Sequence, residues 1–145
     1  MNNKVSKELK RFNYILGEIE ALYHSAALKL GLSDSAMSIL YTVYSEGNQC
    51  LLQDIVKLSG LSKQTINSAI RKLEKEKLIY LEEYNSKKKK VYFTEEGNRL
   101  AQKTVSRIIQ IENGIFDSWS DVECENYLRL TKDYMLALKR EVDNI

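Results

Sequence analysis

The chain has 145 residues, 43% of them hydrophobic and 29% charged, with a formal net charge of +2. That is about one domain with enough apolar matter for a core, which excludes a disordered chain. No apolar run approaches the ~18 residues of a membrane span, and the polar start MNNKVSKELKRF lacks a signal-peptide core, so a cytoplasmic protein with no membrane partner is expected.

Catalytic and metal chemistry have little to stand on. Cys50 and Cys124 are the two cysteines and His24 is the one histidine. A zinc site of the common kinds needs three or four ligands in a local pattern, which is missing here. Phosphate-loop, dinucleotide, nucleophile-elbow and metalloprotease motifs are missing too. The expectation is a protein that is not an enzyme and has no catalytic residue, metal or cofactor.

Phe12 to Leu30 carries apolar residues at 12, 15, 16, 19, 22, 23, 26, 27 and 30, helical spacing over about five turns. GLSDSAM interrupts it, with Gly31 as stop and Ser33 or Ser35 as candidate cap for a second helix over 35–45, which ends at EGN. Leu51, Leu52, Ile55, Val56 and Leu58 mark a short third helix. Gly60 then supplies a tight turn, Leu61 plugs the core, and Ser62 caps a fourth helix by accepting from the N–H of Gln64 or Thr65. Ile66, Ala69, Ile70 and Leu73 form that helix's apolar face. Gln64, Asn67, Ser68, Arg71 and Lys75 form its polar face. Short helix, glycine turn and second helix outline a helix-turn-helix.

LIYLEEYNSKKKKVYFT reads as two strands around a turn, with Ile79 and Leu81 alternating on one side and Val91 and Phe93 on the other. YNSK is the turn, with Asn85 able to take a left-handed conformation. A hairpin directly after a helix-turn-helix is a wing. Four consecutive lysines gain a fold nothing by themselves and are usually a solvated face. Beside a helix-turn-helix they fit an arm lying along DNA phosphates. From Ser62 to Lys90 there are nine Lys or Arg against four Glu, a net +5 that leaves −3 for the rest. A basic segment on a slightly acidic body suits an anionic partner at one end of the molecule.

The remainder is helical. Thr94 caps a helix from about Glu95 to Trp119, and Ser120 with Glu123 forms a capping box for a last helix to about Val142. Apolar residues recur along both, from Leu100, Val105 and Ile108 to Tyr134, Met135 and Leu138. The first helix and the last two have more apolar surface than one small winged module can bury, and packing against a twin would bury it.

In this order the motifs resemble the multiple antibiotic resistance regulator (MarR) family over nearly the whole chain. LLQDIVKLSGLSKQTINSAIRKLEKEKLIYLEE fits that family's helix-turn-helix, and KKKKVYFTEEG fits its strand followed by LTEKG. The resemblance implies a mainly α fold (an α+β winged helix-turn-helix) with a dimerisation region built from N- and C-terminal helices. One domain would span 1–145, with the winged module at 35–97 and the dimerisation helices at 1–31 and 98–145. It further implies a triangular homodimer on pseudo-palindromic double-stranded DNA, acting as a repressor that a small ligand or oxidation relieves. The recognition helix would contact DNA through Ser62, Lys63, Gln64, Thr65, Asn67, Ser68 and Arg71, and the wing through Asn85, Ser86, Lys87, Lys88, Lys89 and Lys90. An amide-rich, small N-terminal face is what meets base edges, although it is also ordinary helix surface.

Three departures bear on this. The family often places Asp-x-Arg at the wing turn, where the pair braces the arm; here the positions hold Asn85 and Lys87. The usual Gly after the recognition helix is Lys77, so that helix end is open to a different shape. The family's peroxide sensors carry a Cys in the first helix, and this chain has none before Cys50. Cys50 sits where a helix is expected to start, which can lower a thiol pKa, but no resolving partner is apparent; Cys124 reads as packing. Tyr14, Tyr23, His24, Met37, Tyr41 and Tyr44 are candidates for a pocket holding a small, partly aromatic organic ligand, although aromatic residues at helical spacing are more often core or interface. The alternatives are a winged-helix module that binds protein, or a thiol-based redox regulator.

Overall fold

Among the described residues, five helices begin at a Ser or Thr cap, and the first four end where the backbone turns left-handed. The structure, a computed structural model, describes residues 3–145; Met1 and Asn2, with which the polar start and the ranges 1–31 and 1–145 open, lie outside the described residues. Helix α1 runs Lys7–Lys29, with the Ser6 hydroxyl accepting the Leu9 N–H at 3.0 Å. It starts more than a turn before the expected Phe12, because Ser6 supplies a cap and KELKR is rich in helix formers that apolar periodicity does not register. At its end Gly31 takes φ 73°, and the Leu32 N–H reaches back to the Ala27 carbonyl at 2.9 Å. Helix α2, Asp34–Ser45, is capped by Ser33 rather than Ser35 and closes in the same way at Gly47.

Strand β1, Gln49–Leu51, was not legible as an element; its three residues become a strand by pairing with a segment some forty positions on. Helix α3 is Leu52–Ser59, and α4 is Lys63–Lys75. Strands β2, Ile79–Asn85, and β3, Lys88–Phe93, complete an antiparallel sheet of order β1-β3-β2. The register sets Ile79 opposite Phe93 and Leu81 opposite Val91. All four therefore share one face, and it lies on the core formed with Ile39, Leu40, Ile55, Ile66 and Ile70.

The single helix expected from Glu95 to Trp119 is two. Helix α5, Glu95–Lys103, is capped by Thr94, and α6 is Val105–Asp117. At Thr104 the backbone leaves helical geometry (φ −121°, ψ −83°), and the buried Thr104 hydroxyl donates to the Leu100 carbonyl at 2.7 Å. The same back-bond from Thr42 to Ser38 and from Thr131 to Tyr127 leaves α2 and the last helix unbroken, so the Thr104 bond accompanies the break and does not by itself cause it. Helix α7, Asp121–Val142, has the expected capping box between Ser120 and Glu123. Those bonds hold the Glu123 carboxyl below its usual pKa, the backbone N–H of Ser120 most of all. The chain divides into two compact units, Met1–Ser106 and Arg107–Ile145. Among the described residues no helix is long and apolar enough to cross a membrane.

Candidate nucleic-acid interface

The helix-turn-helix is assembled by hydroxyls around a left-handed glycine. Gly60 takes φ 70°, the Ser59 hydroxyl donates to the Val56 carbonyl at 3.2 Å, and the Leu61 N–H donates to the Ser59 oxygen at 3.2 Å. Leu61 lies against the core as expected. The Ser62 oxygen accepts the Thr65 N–H at 3.1 Å while its hydroxyl donates to Thr65 Oγ1 at 2.8 Å, so both side chains serve the cap. Ile66, Ile70 and Leu73 are buried, which aims the opposite face of α4 outward. Ser62, Lys63, Gln64, Thr65, Ser68 and Arg71 are exposed, and Asn67 is half-buried. Gln64, Ser68 and Arg71 thus make one polar stripe at i, i+4 and i+7.

Lys77 does not reshape the end of α4. It adopts φ 61°, the Lys77 N–H bonds the Glu74 carbonyl at 3.0 Å, and the Leu78 N–H bonds the Leu73 carbonyl at 3.0 Å. This is the full Schellman pattern with lysine where glycine fits best. From there the chain enters the hairpin. Asn85 is not left-handed; its Oδ1 accepts the Lys87 N–H at 3.0 Å, so a side chain makes the turn in place of a positive φ. Ser86 and Lys87 occupy the turn, and Lys88, Lys89 and Lys90 belong to β3. Lys87 to Lys89 are exposed and Lys90 is half-buried. Glu83 and Glu82 stand opposite Lys89 and Lys90 in the register.

The six candidate pocket residues differ in element and exposure. Tyr14 is 70% exposed on α1, while Met37, Tyr41 and Tyr44 are half-buried against the core. Tyr23 is exposed on α1. His24 Nδ1 donates to both carboxylate oxygens of Asp34, at 3.0 and 2.9 Å, tying α1 to the start of α2. An open cleft of about 480 Å³ lies elsewhere, between the start of α2 and α4, lined by Ser33, Ser35, Gln64, Thr65, Ser68, Ala69 and Lys72. Ser33, Ser35 and Lys72 line this cleft without having been singled out as site residues in the sequence; Lys72 lies at i+8 from Gln64 on the exposed side of α4.

Cys50 directly precedes Leu51, the N-cap of α3, yet its pKa is raised and not lowered. It lies in β1, is 5% exposed, and its thiol is pushed up to about 11. Burial is the main cause, Asp54 and Glu46 add to it, and Lys90 works the other way. A buried thiol with a raised pKa is a poor nucleophile.

Residues 30–86 match the MarR family. They include the whole helix-turn-helix and the hairpin as far as its turn, somewhat less than half of the chain. Solved MarR-type structures extend the likeness. NMB1585, a MarR family regulator from Neisseria meningitidis, is 17% identical over 96% of this chain and 99% of that one, with a TM-score of 0.84. MepR from S. aureus, in a complex with DNA, is 19% identical over 93% and 99%, with a TM-score of 0.69. BpsR of Bordetella bronchiseptica, whose DNA binding is regulated by 6-hydroxynicotinic acid, is 19% identical over 86% and 98%, with a TM-score of 0.63. At these identities the likeness is one of fold, and the fold is the MarR winged helix. Among curated protein sequences none matches.

Proposed function

We propose that this chain is a MarR-type transcription regulator that binds double-stranded DNA as a homodimer and represses transcription until a small organic ligand releases it. The observation that carries this is the placement of two exposed polar surfaces. Helix α4 buries Ile66, Ile70 and Leu73 and leaves Gln64, Ser68 and Arg71 to solvent, and the hairpin that follows exposes Lys87, Lys88 and Lys89. Amide and guanidinium groups can bond base edges in a major groove, and ammonium groups can neutralise phosphates beside it. MepR, of the same fold, is seen with DNA.

A second copy is supported by the apolar side chains that α1 and α7 leave in water. Leu22 is 67% exposed on α1, and Leu128 56% and Met135 53% on α7. Surfaces of that kind on long helices favour a partner. For the signal, the raised pKa of Cys50 weighs against a thiol switch and favours a ligand. A tenfold loss of DNA affinity needs only about 1.4 kcal/mol of differential ligand binding between the two states.

The test is selection of duplexes from random sequence by the purified protein. The expected result is enrichment of a pseudo-palindrome with half-sites about one helical turn apart. A pool that stays random after repeated rounds would refute sequence-specific binding.

A further inference from the structure

The outer face of the hairpin carries an arrangement that phosphate binding leaves unexplained. With Ile79, Leu81, Val91 and Phe93 facing the core, alternation sends Tyr80, Glu82, Lys90 and Tyr92 outward. Tyr80 and Tyr92 stack with ring centroids 5.2 Å apart and planes 11° from parallel. The Lys90 ammonium lies 5.4 Å from the Tyr84 ring centroid and 5.9 Å from that of Tyr92. Both are within the ~6 Å at which a ring's negative face attracts a cation. Glu82 stands opposite Lys90 in the register, yet among the described residues no ion pair joins a hairpin carboxylate to a hairpin lysine.

The position of Lys90 along the sheet gives this seat its consequence. Strand β1 pairs with β3 only at Lys90, Val91 and Tyr92. From Lys90 toward the turn the hairpin is two-stranded, and its ladder shifts between Glu83 and Asn85. An isolated two-stranded ribbon is marginal in water. Lys90 is therefore the last residue of β3 with strands on both sides, and its side chain reaches from there to Tyr84, inside the irregular stretch. Asn85 fixes the turn itself through the Lys87 N–H, but it does not tie the tip to the three-stranded part.

We infer that Lys90 is a positioning residue, seated on Tyr84 and Tyr92 to stiffen the arm that presents Lys87, Lys88 and Lys89, and that it takes no phosphate itself. The inference rests on the DNA binding proposed above, and it divides four consecutive lysines into three that touch the partner and one that holds the arm. Moving the ammonium of Lys90 onto a phosphate would take it off both rings.

Two measurements on the full chain test it. In the free protein, the ε-methylene protons of Lys90, bonded next to an ammonium seated against two rings, should resonate upfield of an ordinary lysine, and Tyr84→Leu should reduce that displacement. With a random-sequence duplex, Lys88→Gln and Lys89→Gln should each flatten the salt dependence of log K, by about one unit for every phosphate left without its ammonium. Lys90→Gln should weaken binding by about three- to fivefold, the size of a partly exposed cation–π interaction, with the salt slope unchanged, and Lys90→Arg should restore affinity. An ordinary lysine spectrum, or a slope that Lys90→Gln flattens as much as Lys89→Gln does, would overturn the inference. Absence of DNA binding by the unaltered protein would overturn the DNA-binding function instead. The methylene shift, read without DNA, tells the two failures apart.

Discussion

Gly97 lies so close to the carbonyl of Leu78 that a β-carbon on it would overlap the carbonyl oxygen and sit 2.9 Å from the carbonyl carbon. The same carbonyl accepts the Thr94 N–H at 3.1 Å, and the Thr94 hydroxyl donates to the Lys77 carbonyl at 2.7 Å while accepting the Gly97 N–H at 3.0 Å. The start of α5 is thereby sewn to the link between α4 and β2. This junction fixes where the hairpin leaves and rejoins the body, and so where the arm stands relative to the recognition helix. Gly97→Ala forces backbone apart and should cost ~2–3 kcal/mol. Urea unfolding followed by circular dichroism reads it; an unchanged midpoint would show that the two segments are not this close in solution.

Lys77 holds a left-handed conformation that costs an L-residue roughly 1 kcal/mol, and the Schellman bonds on either side keep it there. Lys77→Gly should therefore raise stability, by about 0.5–1 kcal/mol once glycine's extra freedom in the unfolded chain is counted. Gly60→Ala, at φ 70° with open space around it, should lower stability by a similar amount. The pair of denaturation midpoints checks the sign of both.

These two sites illustrate what the sequence exposed and what it withheld. The helix-turn-helix was legible because its signals are local: Gly60 for the turn, Ser62 for the cap and an apolar stripe from Ile66 to Leu73. The hairpin was legible from alternation, though Asn85 makes its turn with a side chain and not a left-handed backbone. The break at Thr104 was not seen, because apolar residues continue at helical spacing on both sides and the bond from Thr104 to Leu100 leaves no trace in that pattern. Strand β1 depends on a partner some forty positions along the chain, so nothing local marks it, and the seat of Lys90 on Tyr84 and Tyr92 depends on a hairpin register that alternation leaves open. The proposed roles of Gln64, Arg71 and the lysines follow from residue type on an exposed face, and burial adds only that these side chains are free to reach outward.

Cys50 should be inert in the folded protein. Its native pKa is raised to about 11, so folding favours the neutral thiol. Stability from this group is fully present below the unfolded value of 9.0 and is lost as pH rises toward about 11. A thiol reagent at pH 8 should modify Cys124, which is half-buried, well before Cys50, and denaturant should abolish the difference. Equal rates in the native protein would contradict the burial of Cys50.

The apolar side chains of α7 predict self-association. Sedimentation at micromolar concentration should give twice the 16.8 kDa chain mass. Leu128→Glu, at a side chain 56% exposed in the single chain, should shift the protein toward monomer while leaving its helical content unchanged. A monomeric parent protein would refute the homodimer.

On the proposed reading α4 reads sequence while the hairpin supplies general affinity, and binding of Arg71→Ala to two duplexes separates these roles. On the selected operator the variant should lose ~1–3 kcal/mol of affinity, the worth of a good base-edge contact. On a scrambled duplex at the same salt it should bind within about twofold of the parent, because non-specific binding is carried by phosphate neutralisation. Equal losses on both duplexes, or no loss on either, would refute that division of roles between α4 and the hairpin.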